Sequence, residues 1–275
     1  MKKILVPTDF SPIANKAIEV AVTIARYNGA MIELLNVTIY PIQDINTYYA
    51  VYGASGISID DAWKSVLEDT RKQMDEVIAK YPDIKIRALI DESSDKFVES
   101  VLNHNADLIV MGSNGADGFK EFFGGSNSEA IVRMASCPVL VVKGEKEAFN
   151  LKKVVLAIDF THEKFLKKAM YHLPFREAEL HFLFVDTSSK IISYTEIKEK
   201  MLIMANKLGI TNSQFVIQEA TTVEDGILEY TEMIGADLVV MYTHGRTGVS
   251  HFFKGSIAED VVNHSNVPVF TYVED

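Results

Sequence analysis

The chain has 275 residues, of which 48% are hydrophobic, and a formal net charge of −11. This length suits two domains, each with its own core. Both halves are acidic: residues 1–150 carry 15 basic and 21 acidic side chains, and the remainder carries 12 and 17. A nucleic-acid partner is therefore not expected, because binding to a phosphate backbone depends on clustered Lys and Arg.

Cysteine usage and apolar run lengths narrow the class of protein further. The single Cys137 excludes an intrachain disulfide and a thiolate metal site, and we interpret it as a small core residue. The histidines share no metal-ligand spacing, so no metal site is predicted. No apolar run reaches membrane-spanning length, and the N-terminal lysines lead into Ile4-Leu5-Val6 rather than into a signal peptide. We expect a soluble, cytoplasmic protein with no membrane partner.

The first elements alternate between strand and helix. An apolar strand from Ile4 ends in the sequence Asp9-Phe10-Ser11. Ser11 as N-cap and Pro12 at the first helical position predict a helix that Gly29 ends. Strands are then predicted at Met31–Val37 and Ile84–Ile90, with a helix lined by Trp63, Val66, Leu67, Met74, Val77 and Ile78 between them. The aperiodic stretch Tyr40–Gly56 is interpreted as a flexible excursion, with a lid over the ligand or a cover for a partner surface as alternatives.

A glycine pattern follows the fourth strand, Leu108–Met111. It reads Gly112-x-x-Gly115, nine residues, and then Gly125-Ser126, where Ser126 and Glu129 fit a capping box at a helix start. Glycines let the backbone approach a ligand closely, and the N–H groups of a helix start attract anions. Strand, glycine loop and helix start together predict a phosphate site.

The same order recurs in the second half. Its strands are predicted from Lys152 to Asp159, at Leu180–Val185, Phe215–Ile217 and Leu238–Met241, and its glycine pattern reads Tyr242-x-x-Gly245, nine residues, Gly255-Ser256. The polar segment Lys143–Asn150 separates the repeats. We predict two tandem α/β domains, 1–146 and 150–275, each an open parallel sheet with helices on both faces and a ligand at the carboxyl ends of its strands.

These residues resemble the universal stress protein family, as a tandem pair over nearly the whole chain. The resemblance rests on the Asp that closes the first strand, the Val that closes the second, the glycine pattern and the Cys137–Val142 strand. It implies a Rossmann-like sheet of strand order 3-2-1-4-5, of the adenine nucleotide alpha hydrolase-like type. It also implies a bound ATP, AMP or ADP, with or without Mg²⁺: the Asp and Val flank adenine, while the glycine loop and serine hold ribose and phosphates.

Carried over by position, the resemblance implies two sets of nucleotide-binding residues. The first set is Pro7, Thr8, Asp9, Val37, Met111, Gly112, Gly115, Gly125, Ser126 and Asn127. A second set would be Ala157, Ile158, Asp159, Val185, Met241, Gly245, Arg246, Gly255, Ser256 and Ile257.

The two sets differ in ways that favour the first. Tyr242 replaces the first glycine and would crowd ribose or phosphate, and Ile158 replaces Thr8 and removes a hydroxyl. In the opposite direction, Arg246 could clamp a phosphate oxygen, whereas Asp117 would repel one. We hypothesise that the first half binds an adenine nucleotide and that the second binds weakly or takes another ligand.

Three functions remain open at this point. The leading one is a nucleotide-responsive binding module in stress response. The alternatives are a slow Mg-dependent ATPase and a non-nucleotide interaction protein with vestigial loops; no catalytic residue is assigned. Family members commonly pair through their last strands, so Val139–Val142 is expected to meet Val269–Tyr272 within the chain as a pseudo-dimer. A further homodimer is left open.

Overall fold

The computed structural model describes residues 1–38, 58–92, 96–113, 125–144, 149–160, 164–175, 177–188, 193–243 and 257–273. Strands in these ranges are β1 Lys3–Pro7, β2 Met31–Val37, β3 Ile86–Asp91, β4 Leu108–Gly112, β5 Val139–Val142, β6 Lys153–Ala157, β7 Glu179–Asp186, β8 Ser213–Glu219, β9 Leu238–Thr243 and β10 Val269–Val273. Helices are α1 Pro12–Asn28, α2 Ile59–Lys80, α3 Phe97–Asn103, α4 Gly125–Met134, α5 Lys164–His172, α6 Tyr194–Lys207, α7 Val223–Ile234 and α8 Ile257–His264.

The strands form one sheet of order β3-β2-β1-β4-β5-β10-β9-β6-β7-β8. Within each half the paired strands are parallel. Each half therefore has the strand order 3-2-1-4-5, and the predicted fold class is confirmed. The carboxyl ends of the first, second and fourth strands of each half lie along one edge.

The two half-sheets meet through their last strands. β5 and β10 pair antiparallel, with Val141 opposite Val269 and Leu140 opposite Phe270. The Thr271 hydroxyl donates to the Val139 carbonyl at 3.3 Å. This is the contact expected from the pseudo-dimer prediction, and it makes a single sheet of the two halves.

A hydrophobic core on each face of the sheet runs through both halves. The α1-side core includes Ala17, Met74, Leu166 and Met201 from α1, α2, α5 and α6. The α4-side core includes Val101, Ile131, Ile227 and Val261 from α3, α4, α7 and α8. Helices cover both faces because both faces of a parallel sheet are apolar. Within the described ranges, no helix is long and apolar enough to cross a membrane.

Local sequence signals set most elements, although several ends differ from prediction by a few residues. The Ser11 hydroxyl accepts from the Ala14 N–H at 3.3 Å, and Gly29 ends α1 at φ 64°, both as predicted. Helix α4 begins at Gly125, so Ser126 lies inside the first turn and the capping-box prediction is wrong at this position. β8 extends beyond the predicted bounds Phe215–Ile217 at both ends, because every residue from Ser213 to Glu219 pairs with β7.

A repeated carboxylate ties the amino end of the central strands together in each half. Asp107 accepts from the backbone N–H groups of Lys2 at 2.5 Å and Lys3 at 2.9 Å. Asp237 accepts from the same two positions of the second half, Lys152 at 2.9 Å and Lys153 at 3.0 Å. Burial raises the pKa of Asp107, but the two backbone bonds outweigh it and the pKa lies below its ordinary value.

Candidate functional site

The turn after β1 brings the first predicted site residues to the carboxyl edge of the sheet. Pro7 and Thr8 are buried, and Asp9 is exposed. Phe10 has φ 60°, a left-handed conformation that is uncommon for an aromatic residue. The Thr8 hydroxyl accepts from the Phe10 N–H at 3.0 Å, and Asp9 Oδ1 accepts from the Ser11 N–H at 3.0 Å. These two bonds hold the turn that presents the Asp9 carboxylate.

The end of β2 supports this turn from the next strand. Asn36 donates from Nδ2 to the Thr8 carbonyl at 2.9 Å, and the Thr38 hydroxyl donates to Asn36 Oδ1. Val37 is half-buried against the α4-side core. The sequence analysis missed Asn36, although an amide at the end of an otherwise apolar strand is a signal for a polar contact.

At the end of β4, Gly112 leaves no room for a side chain. A Cβ on this residue would lie 2.7 Å from the Ile13 carbonyl oxygen and 2.8 Å from its carbonyl carbon. The glycine therefore permits close packing of α1 on β4. Met111, just before it, is fully buried in the α4-side core.

The start of α4 is joined to the end of β4 by side chains. Gly125 and Ser126 lie in the first turn of α4, followed by the half-buried Asn127. The Ser128 hydroxyl donates to Ser113 Oγ at 3.3 Å. The backbone N–H groups of this helix start lie beside the edge that carries Asp9. Gly115 falls outside the described residues.

A buried lysine at the end of β5 completes this region and was missed by the sequence analysis. Lys143 is 3% exposed, and its Nζ donates to Ser113 Oγ at 3.2 Å. Burial lowers the pKa of Lys143 to about 8, although the nearby Glu129 opposes this shift. The sequence placed Lys143 at the start of a polar linker, where a lysine is ordinarily solvated.

The second half repeats the turn but supports it differently. Asp159 is exposed and Phe160 has φ 66°. Ile158 stands at the Thr8 position, and the Phe160 ring stacks on Phe184, at the Asn36 position, with centroids 5.4 Å apart. Lys200 Nζ lies 5.8 Å from the Phe160 centroid. Apolar packing thus takes the place of the hydroxyl and amide bonds of the first turn.

The remaining second-set residues are only partly described. Ala157 packs against the α4-side core, Met241 is buried, and Ile257 is exposed at the start of α8. Val185 packs closely under α7: a Cβ on Gly226 would lie 2.5 Å from Val185 Cγ1. Gly245, Arg246, Gly255 and Ser256 fall outside the described residues, as does the stretch Tyr40–Gly56.

Tyr242, which replaces the first glycine of the pattern, packs at the end of β9. Tyr242, at the Gly112 position, is half-buried against the α1-side core. Thr243 and Ala258 stand where the first half has Ser113 and Ser128. The carboxyl edge of the second half is therefore the less polar of the two at the equivalent positions.

Groups for metal or thiol chemistry do not form a site in the part of the chain that the structure describes. No three His, Cys, Asp or Glu side chains there are arranged to hold a metal ion. Burial raises the pKa of Cys137 to about 12, which keeps its thiol protonated and unreactive at neutral pH. The arrangement can instead bind an anion beside the start of α4 and a polar group beside Asp9.

Comparisons with known proteins find the same family in both halves of the chain. The universal stress protein family model matches residues 1–143 and again residues 151–272. A universal stress protein of Methanocaldococcus jannaschii is 29% identical over 154 residues, 53% of this chain and 84% of the relative. A putative universal stress protein of Staphylococcus saprophyticus is 33% identical over 164 residues, 58% and 93% of the two chains. The crystal structure of a universal stress protein from Archaeoglobus fulgidus matches 99% of this chain and 96% of its own, with 25% identity and a TM-score of 0.75.

Proposed function

Because this chain belongs to the universal stress protein family as two tandem copies, we propose that its first half binds ATP or a related adenine nucleotide. Binding makes the protein a nucleotide-responsive module of the cytoplasmic stress response, whose occupancy alters contacts with a partner. The observation that carries the proposal is the polar turn at Asp9, held by Thr8 and Asn36 on the edge where α4 begins.

The nucleotide would lie across the carboxyl ends of β1, β2 and β4. Asp9 and Val37 would flank the adenine, and Pro7, Thr8 and Met111 would form the floor of the site. Gly112, Gly115, Gly125, Ser126 and Asn127 would hold ribose and phosphates through backbone N–H groups at the start of α4. A net charge of −11 makes this local positive potential necessary for an anionic ligand.

Magnesium fits this arrangement as a companion of the triphosphate. Mg²⁺ prefers oxygen ligands and is commonly bound by one or two carboxylates together with substrate phosphates. Because Asp9 is assigned to the adenine, oxygens of the phosphates and of water would be the main ligands of the ion. When bound, the ion would neutralise phosphate charge. The nucleotide-binding role does not depend on it.

The second half, residues 150–275, is proposed as a weaker site or a site for another ligand. Ala157, Ile158, Asp159, Val185, Met241, Gly245, Arg246, Gly255, Ser256 and Ile257 would be its contacts. Support comes from Tyr242 at the position of the first glycine and from the apolar turn of Phe160 and Phe184. The halves 1–146 and 150–275 would thus have unequal roles.

Calorimetry on the purified full chain tests the proposal, with mass spectrometry to identify any nucleotide released from the native protein. Asp9→Ala is expected to weaken ATP binding about tenfold or more, since it removes a charged hydrogen-bond acceptor from the site. Asp83→Ala is the matched control: it removes one exposed carboxylate that pairs with Arg26 at 2.7 Å, away from this edge. Equal weakening by both variants would contradict the assignment of Asp9.

The same protein separates the two alternatives. Phosphate released from Mg-ATP above background, and lost in Asp9→Ala, would favour the slow ATPase. No copurified nucleotide and no calorimetric signal with ATP, ADP or AMP would favour an interaction protein with vestigial loops.

A further inference from the structure

Lys143 is a buried cation with an incomplete set of partners. Its residue is 3% exposed, and its one hydrogen bond within the described part of the chain is to Ser113 Oγ at 3.2 Å. An ammonium group has three N–H donors. Two of them therefore have no acceptor among the described residues, and no described carboxylate lies within salt-bridge distance of Nζ.

Such an arrangement is unfavourable unless something else compensates it. Removing an ammonium from water costs several kcal/mol after relaxation, and one neutral hydroxyl does not offset that cost. Glu129 on α4 is the charged group that acts on Lys143, but its carboxylate accepts from Asn263 of α8. Lys16, from α1, binds the adjacent Gly144 carbonyl at 2.8 Å and adds a second positive charge nearby. Within the described part of the chain, the Glu129 charge favours the charged form of Lys143, but no carboxylate is hydrogen-bonded to Nζ.

Lys143 is also connected to the helix start. Ser113 and Ser128 are both buried, and Ser128, the fourth residue of α4, donates to the same Ser113 oxygen that accepts from Lys143. The first turn of α4 carries backbone N–H groups with no acceptor inside the helix. The Lys143 ammonium and the start of α4 are therefore joined through one serine oxygen.

The second half provides an internal comparison, because it lacks the lysine and one of the two serine hydroxyls. Thr243, Ala258 and Val273 stand at the positions of Ser113, Ser128 and Lys143. The same half has Tyr242 in place of the first glycine. The buried cation and the intact glycine pattern occur together, in one half only.

We propose that Lys143 is a phosphate-binding residue of the first half, and that an anion held at the start of α4 takes up the N–H donors that Ser113 leaves unused. This deepens the proposed nucleotide site and rests on it. The ligand class is a polyphosphate, bare or carried by a nucleoside. Lys143 supplies charge, while the helix start supplies backbone donors.

Binding of an anion beside Lys143 should change the protonation of its ammonium group. With its pKa at about 8, part of the Lys143 population is neutral at pH 8.5 in the unliganded protein. A bound anion favours the charged form, so binding at this pH takes up protons. Roughly half a proton or more is expected per ligand, and affinity falls as the pH rises through 8 to 10. The terminal phosphate of ATP titrates well below this range.

Calorimetry at pH 8.5 in two buffers of different ionisation enthalpy measures this uptake. Lys143→Met is expected to weaken binding of ATP and of inorganic tripolyphosphate about tenfold or more and to abolish the proton uptake that accompanies ATP binding. The same variant should unfold at equal or higher urea concentration than the wild type, because it removes an uncompensated buried charge. Lys16→Met, which removes a nearby half-buried lysine, should keep the proton uptake.

The outcomes separate the two proposals. Unchanged affinity and uptake in Lys143→Met would overturn the role of Lys143, and so would a loss of stability without any loss of affinity. Binding of tripolyphosphate that Lys143→Met weakens, with no binding of ATP, would overturn the nucleotide proposal and leave Lys143 in place. If the wild type binds neither probe, both proposals are wrong.

Discussion

The Ile13 carbonyl oxygen lies 2.7 Å from the point that a Cβ on Gly112 would occupy. Gly112 therefore has a packing role between β4 and α1 as well as a place in the proposed ligand site. At the equivalent position Tyr242 is half-buried against the α1-side core. Exchange of this glycine changes both how a helix packs on the sheet and what can approach the sheet edge.

Gly112→Ala should lower the free energy of unfolding by about 1–3 kcal/mol, because its methyl group meets backbone atoms that cannot rotate away. Urea denaturation measures the loss. Gly29→Ala is the control: Gly29 has φ +64°, and a Cβ added there would meet no atom within 4 Å, so its cost is conformational, about 1 kcal/mol. Gly112→Ala should also weaken ATP binding, whereas Gly29→Ala should not. Equal effects of both variants on binding would contradict the placement of the site.

Thr8→Val tests whether a side-chain hydrogen bond stabilises the turn after β1, in which Phe10 has a left-handed conformation. It keeps the shape of a residue that is 2% exposed but removes the oxygen that accepts from the Phe10 N–H. A cost of about 1–3 kcal/mol in unfolding free energy is expected, since a buried donor loses its partner. Thr23→Val, at a partly exposed position of α1, should change stability by under about 0.5 kcal/mol. A Thr8→Val protein as stable as the wild type would show that packing alone holds this turn.

The Asp107 bonds predict a pH dependence with a defined sign. The folded-state pKa of Asp107 lies below the ordinary 3.8, so its contribution is present above that value and is lost as the pH falls through the folded-state pKa. Asp107→Ala should cost about 1 kcal/mol at pH 7, and the difference from the wild type should shrink below about pH 4. Denaturation from pH 7 to pH 2.5 checks this, with Asp69→Ala as an exposed carboxylate control. If the stability difference between the wild type and Asp107→Ala stayed constant over that range, the lowered pKa of Asp107 would be contradicted.

Cys137 should resist alkylation in the folded protein. With the pKa raised to about 12 by burial, the thiolate fraction at pH 8 is negligible, and iodoacetamide reacts with the thiolate. Mass spectrometry should find slow labelling in buffer and rapid labelling in urea. Rapid labelling of the native protein would contradict the raised pKa of this half-buried thiol.

The features that could be predicted from the sequence are those that depend on residues close together in the chain, on the repeat or on the family resemblance. The helix from Pro12 to Gly29 and the apolar strands follow from local patterns, and the strand order of both halves followed from the family resemblance. The contact of β5 with β10 followed from the family resemblance. These features are encoded within a few neighbouring residues or by repetition.

Other parts of the site depend on contacts that no local pattern encodes. The close approach of Ile13 to Gly112 joins residues 99 positions apart in the sequence numbering, and a glycine after a strand gives no sign of which backbone lies against it. Lys143 reads as a linker residue, yet the sheet and α4 bury it. The position of Ser126 inside α4 shows that a helix boundary can shift by two residues.

The most direct test of the central claim, a nucleotide site in the first half, is photoaffinity labelling of the full chain with 8-azido-ATP and mapping of the labelled peptides. We expect labelled peptides within residues 1–143 and loss of the label when excess ATP is present. Label confined to residues 151–272, or label that excess ATP does not displace, would contradict the claim.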